Sequence, residues 1–352
     1  MKFSPKIVFS FILIIVAGCR IQSQLSPSSR AQLPPSSPAY QLVFNDEFEK
    51  TFPPYPVDSK KWDRNFPWNQ SSNLSDNVSW CFPGDTTSRY WDRAYTIKDL
   101  KDTSTVKVSN GTCKIFTNKV NYQGQVSNWP PCDPNRPGYG IDGNKCRDSC
   151  GVKGHGSIPS CWTTAILPFK YTTGMLFSRQ KFFRGYFEIR FRLPATPETP
   201  YSHEGFDPNF WLWGNKPPEN WSSEIDVFEI IAFNPHQQDS NKYTSTVHYS
   251  DKETGRKPNA HTEILGNKLK NDTAWHTAAA WWTGEFVKFY LDDSLFYTVQ
   301  DNKDILVEKL VAMNIIIGIA GPTSGRCNNF DPVHTQFPYV YEVDYVRVYQ
   351  EK

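Results

Sequence analysis

An all-β sandwich or barrel is the fold this sequence predicts, and three observations predict it. Short strand-like runs recur at 105–108, 114–118, 185–192, 210–213, 245–249, 277–283, 287–291, 315–319 and 340–349, broken by Pro, Gly and Asn. Side-chain character alternates with period two at 185–192 (GYFEIRFR) and 343–349 (VDYVRVY), as a half-buried strand requires. No segment sustains a helical period, and only 301–313 has room for a short helix. The 352 residues suit one large all-β domain or two smaller ones, and no internal repeat divides them.

From the N-terminus, residues 1–18 read as a signal peptide. Lys2 and Lys6 supply the charge, and 7–16 is apolar but about half the ~20 residues a spanning helix needs. Val16-Ala17-Gly18-Cys19 resembles a bacterial lipobox, so cleavage before Cys19 and lipid on its thiol are expected. The alternative is an ordinary secretory signal in which Cys19 is incidental. Residues 19–39 are rich in Ser, Pro and Gln, cannot bury a core, and read as a tether. The expected location is the cell envelope, at the outer membrane or surface of a Gram-negative bacterium.

The folded domain is expected over 40–352. Within it, 128–161 is sparse in apolar residues and carries Cys132, Cys146, Cys150 and Cys161, which suggests a long pinned loop. An exported chain favours disulfides over zinc, whose ligands usually come as tight Cys pairs, but the connectivity stays open. Seven cysteines follow Cys19, so at least one thiol is free or pairs outside the chain. The polar segment 250–272 reads as a loop at a cleft rim.

Glu224-Ile225-Asp226-Val227-Phe228-Glu229 sets three carboxylates among strong strand formers. Charge on a strand is costly to bury unless it has a task. A solvated acidic edge strand is the bland alternative, and Trp211-Leu212-Trp213 upstream with Ile230-Ile231 downstream argues against it. On a flat strand Glu224 and Asp226 share a face and Glu229 points away. A β-bulge at Val227-Phe228 restores Glu229 to that face. The two Glu would still stand roughly 13 Å apart at Cα, at about 3.3 Å per paired position. Retaining glycosidic cleavage uses carboxyl groups about 5–5.5 Å apart, so the sheet must curve to let the side chains converge. Paired carboxylates of this kind serve as nucleophile and proton donor at a sugar linkage.

Composition agrees. The 12 Trp and 15% aromatic content supply flat platforms for sugar rings. A net charge of +2 with no Lys/Arg run argues against a nucleic-acid partner.

Several blocks, in order, resemble glycoside hydrolase family 16, a group that includes laminarinases, lichenases, agarases and carrageenases. These are 42–48 (LVFNDEF), 172–179 (TTGMLFSR) with 185–190, 210–212 before the acidic hexapeptide, 246–249 (TVHY), 282–283 with 289–293, and 342–349. The likeness runs over almost the whole of 41–350. It implies a β-jelly-roll of two curved antiparallel sheets with an open concave cleft and a retaining, endo-acting reaction. It makes Glu224 the nucleophile and Glu229 the acid and then the base. Asp226 would separate their pKa values, leaving Glu224 ionised and Glu229 protonated at rest. It implies the bulged branch of the family.

By the same resemblance Trp211 lies at the sugar beside the scissile bond, with Trp213 on its face of the strand and its role open. His248 bonds a carboxylate or a substrate hydroxyl, and Arg179 is a candidate substrate contact or a surface charge. Of Trp281 and Trp282, alternation sends one into the cleft and the other into the core. Asp344 matches a position near a structural calcium ion, although calcium wants 6–8 oxygen ligands. No cofactor is expected for catalysis, and a monomer is expected. The leading substrate is β-1,3-glucan of the laminarin type, with agar- or carrageenan-type galactan next. A non-catalytic glycan-binding lipoprotein is the alternative from another class, and transglycosylation uses the same residues.

Overall fold

The computed structural model describes residues 33–64, 78–79, 93–95, 104–127, 164–193, 206–216, 221–232, 241–249, 259–265, 273–300, 310–320 and 337–352. Eighteen strands lie among them. The first eight are β1 (Tyr40–Asp46), β2 (Trp62–Asp63), β3 (Val78–Ser79), β4 (Arg93–Tyr95), β5 (Val106–Ser109), β6 (Thr112–Ser127), β7 (Thr164–Thr173) and β8 (Met175–Phe182). There follow β9 (Gly185–Arg192), β10 (Asp207–Lys216), β11 (Trp221–Ala232), β12 (Asn241–Tyr249) and β13 (Asn259–Leu265). The last five are β14 (His276–Trp282), β15 (Phe286–Leu291), β16 (Ser294–Gln300), β17 (Met313–Ala320) and β18 (Tyr339–Glu351).

They form two sheets. Seven strands run in the order β13-β12-β11-β10-β17-β8-β2. Eleven strands make the other sheet, along β16-β15-β14-β9-β18-β6-β7-β4, with β1 beside β18 and β3 and β5 beside β6. Pairing is antiparallel except for the short β3–β6 and β4–β7 contacts. The chain passes from sheet to sheet, at β9 to β10, β13 to β14 and β17 to β18. This is the expected all-β jelly-roll sandwich. Tight hairpins close it locally: Asn110-Gly111 and Asp292-Asp293 all have positive φ, the backbone that a two-residue hairpin turn demands.

One apolar core fills the space between the sheets. Phe187, Ile189 and Phe191 of β9 and Tyr341, Val343, Val346 and Val348 of β18 meet Phe210 and Leu212 of β10 and Ile315, Ile317 and Ile319 of β17. Alternation makes this possible, since every second residue of each strand points inward. A smaller apolar cluster of Met175, Phe177, Trp213 and Ile316 lies on the opposite face of the seven-stranded sheet.

Three expectations change. Residues 259–265 are a strand pairing with β12, so part of the polar stretch at 250–272 extends the sheet. Of the helix expected at 301–313, residues 310–312 are irregular and Met313 opens β17; 301–309 lie outside the described residues. Neither Trp281 nor Trp282 reaches the acid-bearing face, because β14 belongs to the other sheet. Trp282 is in the inter-sheet core. Trp281 lies on the outer surface, where its Nε1 donates to the Tyr40 hydroxyl at 3.1 Å.

Cys113, on β6, is a buried free thiol, in keeping with the odd count. Burial pushes it well above the ordinary thiol range. Cys19, the tether to residue 32 and the loop at 128–161 with its four cysteines lie outside the described residues.

Candidate active site

The site begins with the bulge in β11. Against β10, Phe228 pairs with Phe210 and Asp226 with Trp211, so Val227 has no partner. Against β12, Asp226 pairs with Thr246 and Glu229 with Thr244, leaving Val227 and Phe228 opposite Ser245 alone. Both bulge residues turn inward and, with Ile225 and Ile230, join the inter-sheet core. Phe228 stacks on Phe191 at 4.5 Å and on Tyr243 at 5.6 Å. Burying such a ring is worth about 1.5–3 kcal/mol, which holds the extra residue in place. The Ser245 hydroxyl donates to the Val227 carbonyl at 2.7 Å and satisfies a backbone group the ladder has released.

With two inward residues in succession, Glu224, Asp226 and Glu229 all emerge on the face away from the core. Strand pairing places other side chains around them. Trp213, Trp211 and Asn209 of β10 stand opposite Glu224, Asp226 and Glu229. His248, Thr246 and Thr244 of β12 stand opposite the same three acids. Their strand neighbours Phe210, Leu212, Tyr243 and Val247 are core residues, so alternation puts these six on the acid-bearing face.

Asp226 and Glu229 are buried, 3% and 9% exposed, and Glu224 is only partly open. His248 Nε2 lies 3.1 Å from Asp226 Oδ2. One donor atom each from Glu224, Asp226 and His248 falls within 4.8 Å of the others, the one such three-donor group among the described residues. Burial, then the Asp226 charge, push the Glu224 carboxyl up to about 8; His248 opposes the rise, and Glu229 and a hydrogen bond to Asp226 add to it. Glu224 and Asp226 are two carboxyls in one dry site, so the rise belongs to the pair.

The remaining expected residues divide. Trp211 is partly exposed beside the acids and packs on the apolar cluster that holds Trp213. Trp213 is 7% exposed, which makes it the floor of the site rather than an open platform. His248 belongs to the site. Arg179 does not: its Nε donates to the Ser59 carbonyl at 2.7 Å and its NH1 pairs with Asp63 at 3.1 Å. It lies on β8, three strands from β11, and ties the sheet edge to the segment before β2.

Asp344 lies away from these acids. It lies on the outer face of the eleven-stranded sheet and accepts from Arg190 NH1. Its neighbour Glu342 takes Arg192 at 2.7 Å and Lys114 at 3.1 Å, and Glu47 takes Arg347 through both oxygens at 2.9 and 2.7 Å. Calcium takes six to eight oxygens, of which Asp344 could supply only its own two. Asn209, Thr244 and Thr246 were not evident from the sequence. Only their registers with β11 bring them to the acids, and no local pattern marks such positions.

The model of "Glycosyl hydrolases family 16" matches residues 149–331, just over half of the chain and including β11. An endo-1,3-1,4-beta-glycanase of Rhizobium meliloti (strain 1021) is 28% identical over 51% of this chain and 34% of its own length. A beta-glucanase of Rhodothermus marinus is 30% identical over 51% of this chain and 63% of its own. The chain thus spans a third to just under two thirds of these relatives. A kappa-carrageenase of Pseudoalteromonas carrageenovora is 22% identical over 84% of this chain and 67% of its own length. Among solved structures, the LamAcat catalytic domain from Zobellia galactanivorans superposes with TM-score 0.53 at 21% identity, over 88% of this chain and 97% of that one. Another, described with endo-acting O-glycanases of the human gut microbiota, gives 0.58 at 19%, over 90% and 92%. At those identities the likeness speaks for the fold. The sequence match across the bulged acidic strand settles the family: this chain belongs to glycoside hydrolase family 16.

Proposed function

We propose that this chain is a retaining, endo-acting glycoside hydrolase of a β-linked polysaccharide, with laminarin-type β-1,3-glucan as its substrate. The observation that carries this reading is the bulge, which returns Glu229 to the face of Glu224 and Asp226. In the first step ionised Glu224 attacks the anomeric carbon while Glu229 gives its proton to the departing glycosidic oxygen. In the second, Glu229 takes a proton from water, the water oxygen attacks the same carbon, and the bond to Glu224 breaks. The nucleophile must be ionised for the first step, so kcat/KM should rise through the raised pKa of the Glu224–Asp226 pair. Trp211 offers the adjacent sugar an aromatic face. The relative named beta-glucanase supports a glucan substrate, and the one named endo-1,3-1,4-beta-glycanase supports an endo-acting cut of a β-linked polymer.

A galactan is the second reading, because the kappa-carrageenase alignment extends over far more of this chain than the glycanase and glucanase alignments do. Digestion of laminarin, lichenan, agarose, porphyran and κ-carrageenan by wild type and Glu224→Gln tests both. Release of reducing ends from laminarin that falls on the order of 10⁴-fold in the variant supports the proposal. Unchanged release removes Glu224 from the mechanism. Binding without release from any polymer would favour the non-catalytic alternative.

The lipobox-like Val16-Ala17-Gly18-Cys19 supports a lipid anchor through Cys19 at the envelope, most simply the outer membrane or surface of a Gram-negative cell. Cys19→Ala should move the protein from the membrane to the soluble fraction. An unchanged membrane fraction would leave Cys19 without that role.

A further inference from the structure

The outer face of the eleven-stranded sheet divides in two. One end carries the paired charges of Glu342, Asp344 and Arg347. The other is apolar. Strand pairing sets Leu42, Tyr349, Tyr186, Trp281 and Lys288 side by side across β1, β18, β9, β14 and β15. Phe286 meets the Trp281 ring edge-on at 5.4 Å, and Tyr40 does so at 6.0 Å. Three large apolar side chains are exposed among the described residues: Leu42, Phe183 and Leu295. Leu42 stands in the row, Leu295 lies opposite Tyr290 on the edge strand β16, and Phe183 lies in the turn before β9. None of the three is on the acid-bearing face.

This is the composition of a membrane interface, where Trp and Tyr rings present an apolar body and a polar edge among aliphatic side chains. The charges nearby are of both signs. Lys288 and Arg184 are offset by Glu285, in the turn before β15, and by Glu351, beside Tyr40. Such a surface meets lipid by apolar contact rather than by attraction to anionic headgroups.

The course of the chain says what covers it. Leu33, where the described residues begin, packs on Tyr186, Ala279 and Tyr290, the cluster that Trp281 and Tyr349 also pack on. Only residues 20–32 separate Leu33 from Cys19, a reach of about 50 Å at most. A domain of this size has a radius of about 25 Å, so a bilayer laid against the catalytic acids would be on the order of 60 Å from Leu33 by any path round the protein. A lipid on Cys19 brings the apolar face to the bilayer and leaves the acids on the far side.

We infer that the apolar end of this face docks on the lipid bilayer and holds the catalytic cleft away from it, open to a polymer in the surrounding medium. The docking rests on the lipid anchor proposed above, whereas the apolar face does not. The anchor keeps the face at high effective concentration beside the lipid, so a modest apolar contact is enough.

The test is hydroxyl-radical footprinting of the full-length protein, isolated from its membrane fraction, on phosphatidylcholine vesicles, with Cys19→Ala in the same vesicles as the reference. Labelling of Leu42, Leu295 and Trp281 should be lost in the vesicle-bound protein and kept in Cys19→Ala, while Trp211 and His248 are labelled equally in both. Leu42→Asp combined with Leu295→Asp changes two exposed side chains, so the fold should hold, and it should restore the labelling of Trp281 on vesicles. Equal labelling of the three residues in both proteins, with the full-length protein still on the vesicles, overturns the docking and leaves the anchor standing. So does a loss at Trp211 and His248 instead, or a Trp281 still shielded in the double variant. A full-length protein that carries no lipid by mass and does not float with the vesicles overturns the anchor and the docking together.

Discussion

Two carboxylates on the outward faces of the sandwich, Glu342 and Glu224, are treated in opposite ways. On the eleven-stranded sheet Glu342 is nearly buried, and burial alone would raise it, yet Arg192, Thr112 and Lys114 outweigh that and hold it below the usual carboxylate range. Glu47 is also lowered, first by its hydrogen bonds to Arg347. On the seven-stranded sheet burial, then the charge of another acid, Asp226, push Glu224 up to about 8. The same residue type, on the same kind of strand, is quiet where a cation answers it and under tension where an acid does. Burial also raises Glu188 on the eleven-stranded sheet, so a raised carboxyl alone does not mark the catalytic face; the cluster of converging acids does.

The most severe way to break this contrast is to delete Val227. Removing the extra residue restores simple alternation and turns Glu229 toward the core or forces Phe228 out of it. Either outcome should abolish hydrolysis and cost on the order of 3 kcal/mol or more, measured as reducing-end release and thermal unfolding. A variant with full activity would show that the bulge is not what aims Glu229.

A smaller and sharper change is Asp226→Asn, which removes the charge that raises Glu224 after burial. The sign is definite. Glu224 should ionise at lower pH, so the acid limb of kcat/KM should move down, and the overall rate should fall with the lost electrostatics. An acid limb left in place would assign it to another group. Wild-type stability should follow the same logic. The folded state holds the Glu224 proton from the ordinary carboxyl range up to about 8, so this group's stabilising contribution is complete below that window and is lost through it as pH rises.

The mildest effect is expected on the quiet face. Arg347→Met removes the cation from Glu47 and should lower stability by about 1 kcal/mol with kcat on a short oligosaccharide unchanged. Its pH dependence runs the other way. A lowered carboxylate stabilises above its ordinary range and loses that contribution as pH falls through the folded value, so the deficit should shrink in acid. A deficit that grows in acid would contradict the pairing.

Much of the catalytic strand was legible before any coordinates. The Ile, Val and Phe between the acids state a strand, and the odd offset of Glu229 states a bulge, because both follow from the period of an extended backbone. The substrate side chains were less legible. Arg179 has the chemistry of a substrate contact and spends it on Ser59 and Asp63. Trp281 sits in an aromatic pair whose alternation was read correctly but whose sheet was not. Residues 259–265 lack the apolar alternation of a buried strand, and they gain their strand by pairing at the sheet edge.

The amino-acid order by itself determined the all-β class, the three acids and the kink that aligns them, since each depends on neighbours along the chain. Tertiary structure alone decided which partners meet those acids and which meet the outer ones: His248 and Thr246 beside Asp226, Arg190 beside Asp344, Arg347 beside Glu47. The physical reason is that a carboxylate's pKa and role depend on charges within a few ångströms, and in a β-sandwich those charges arrive from strands remote in sequence.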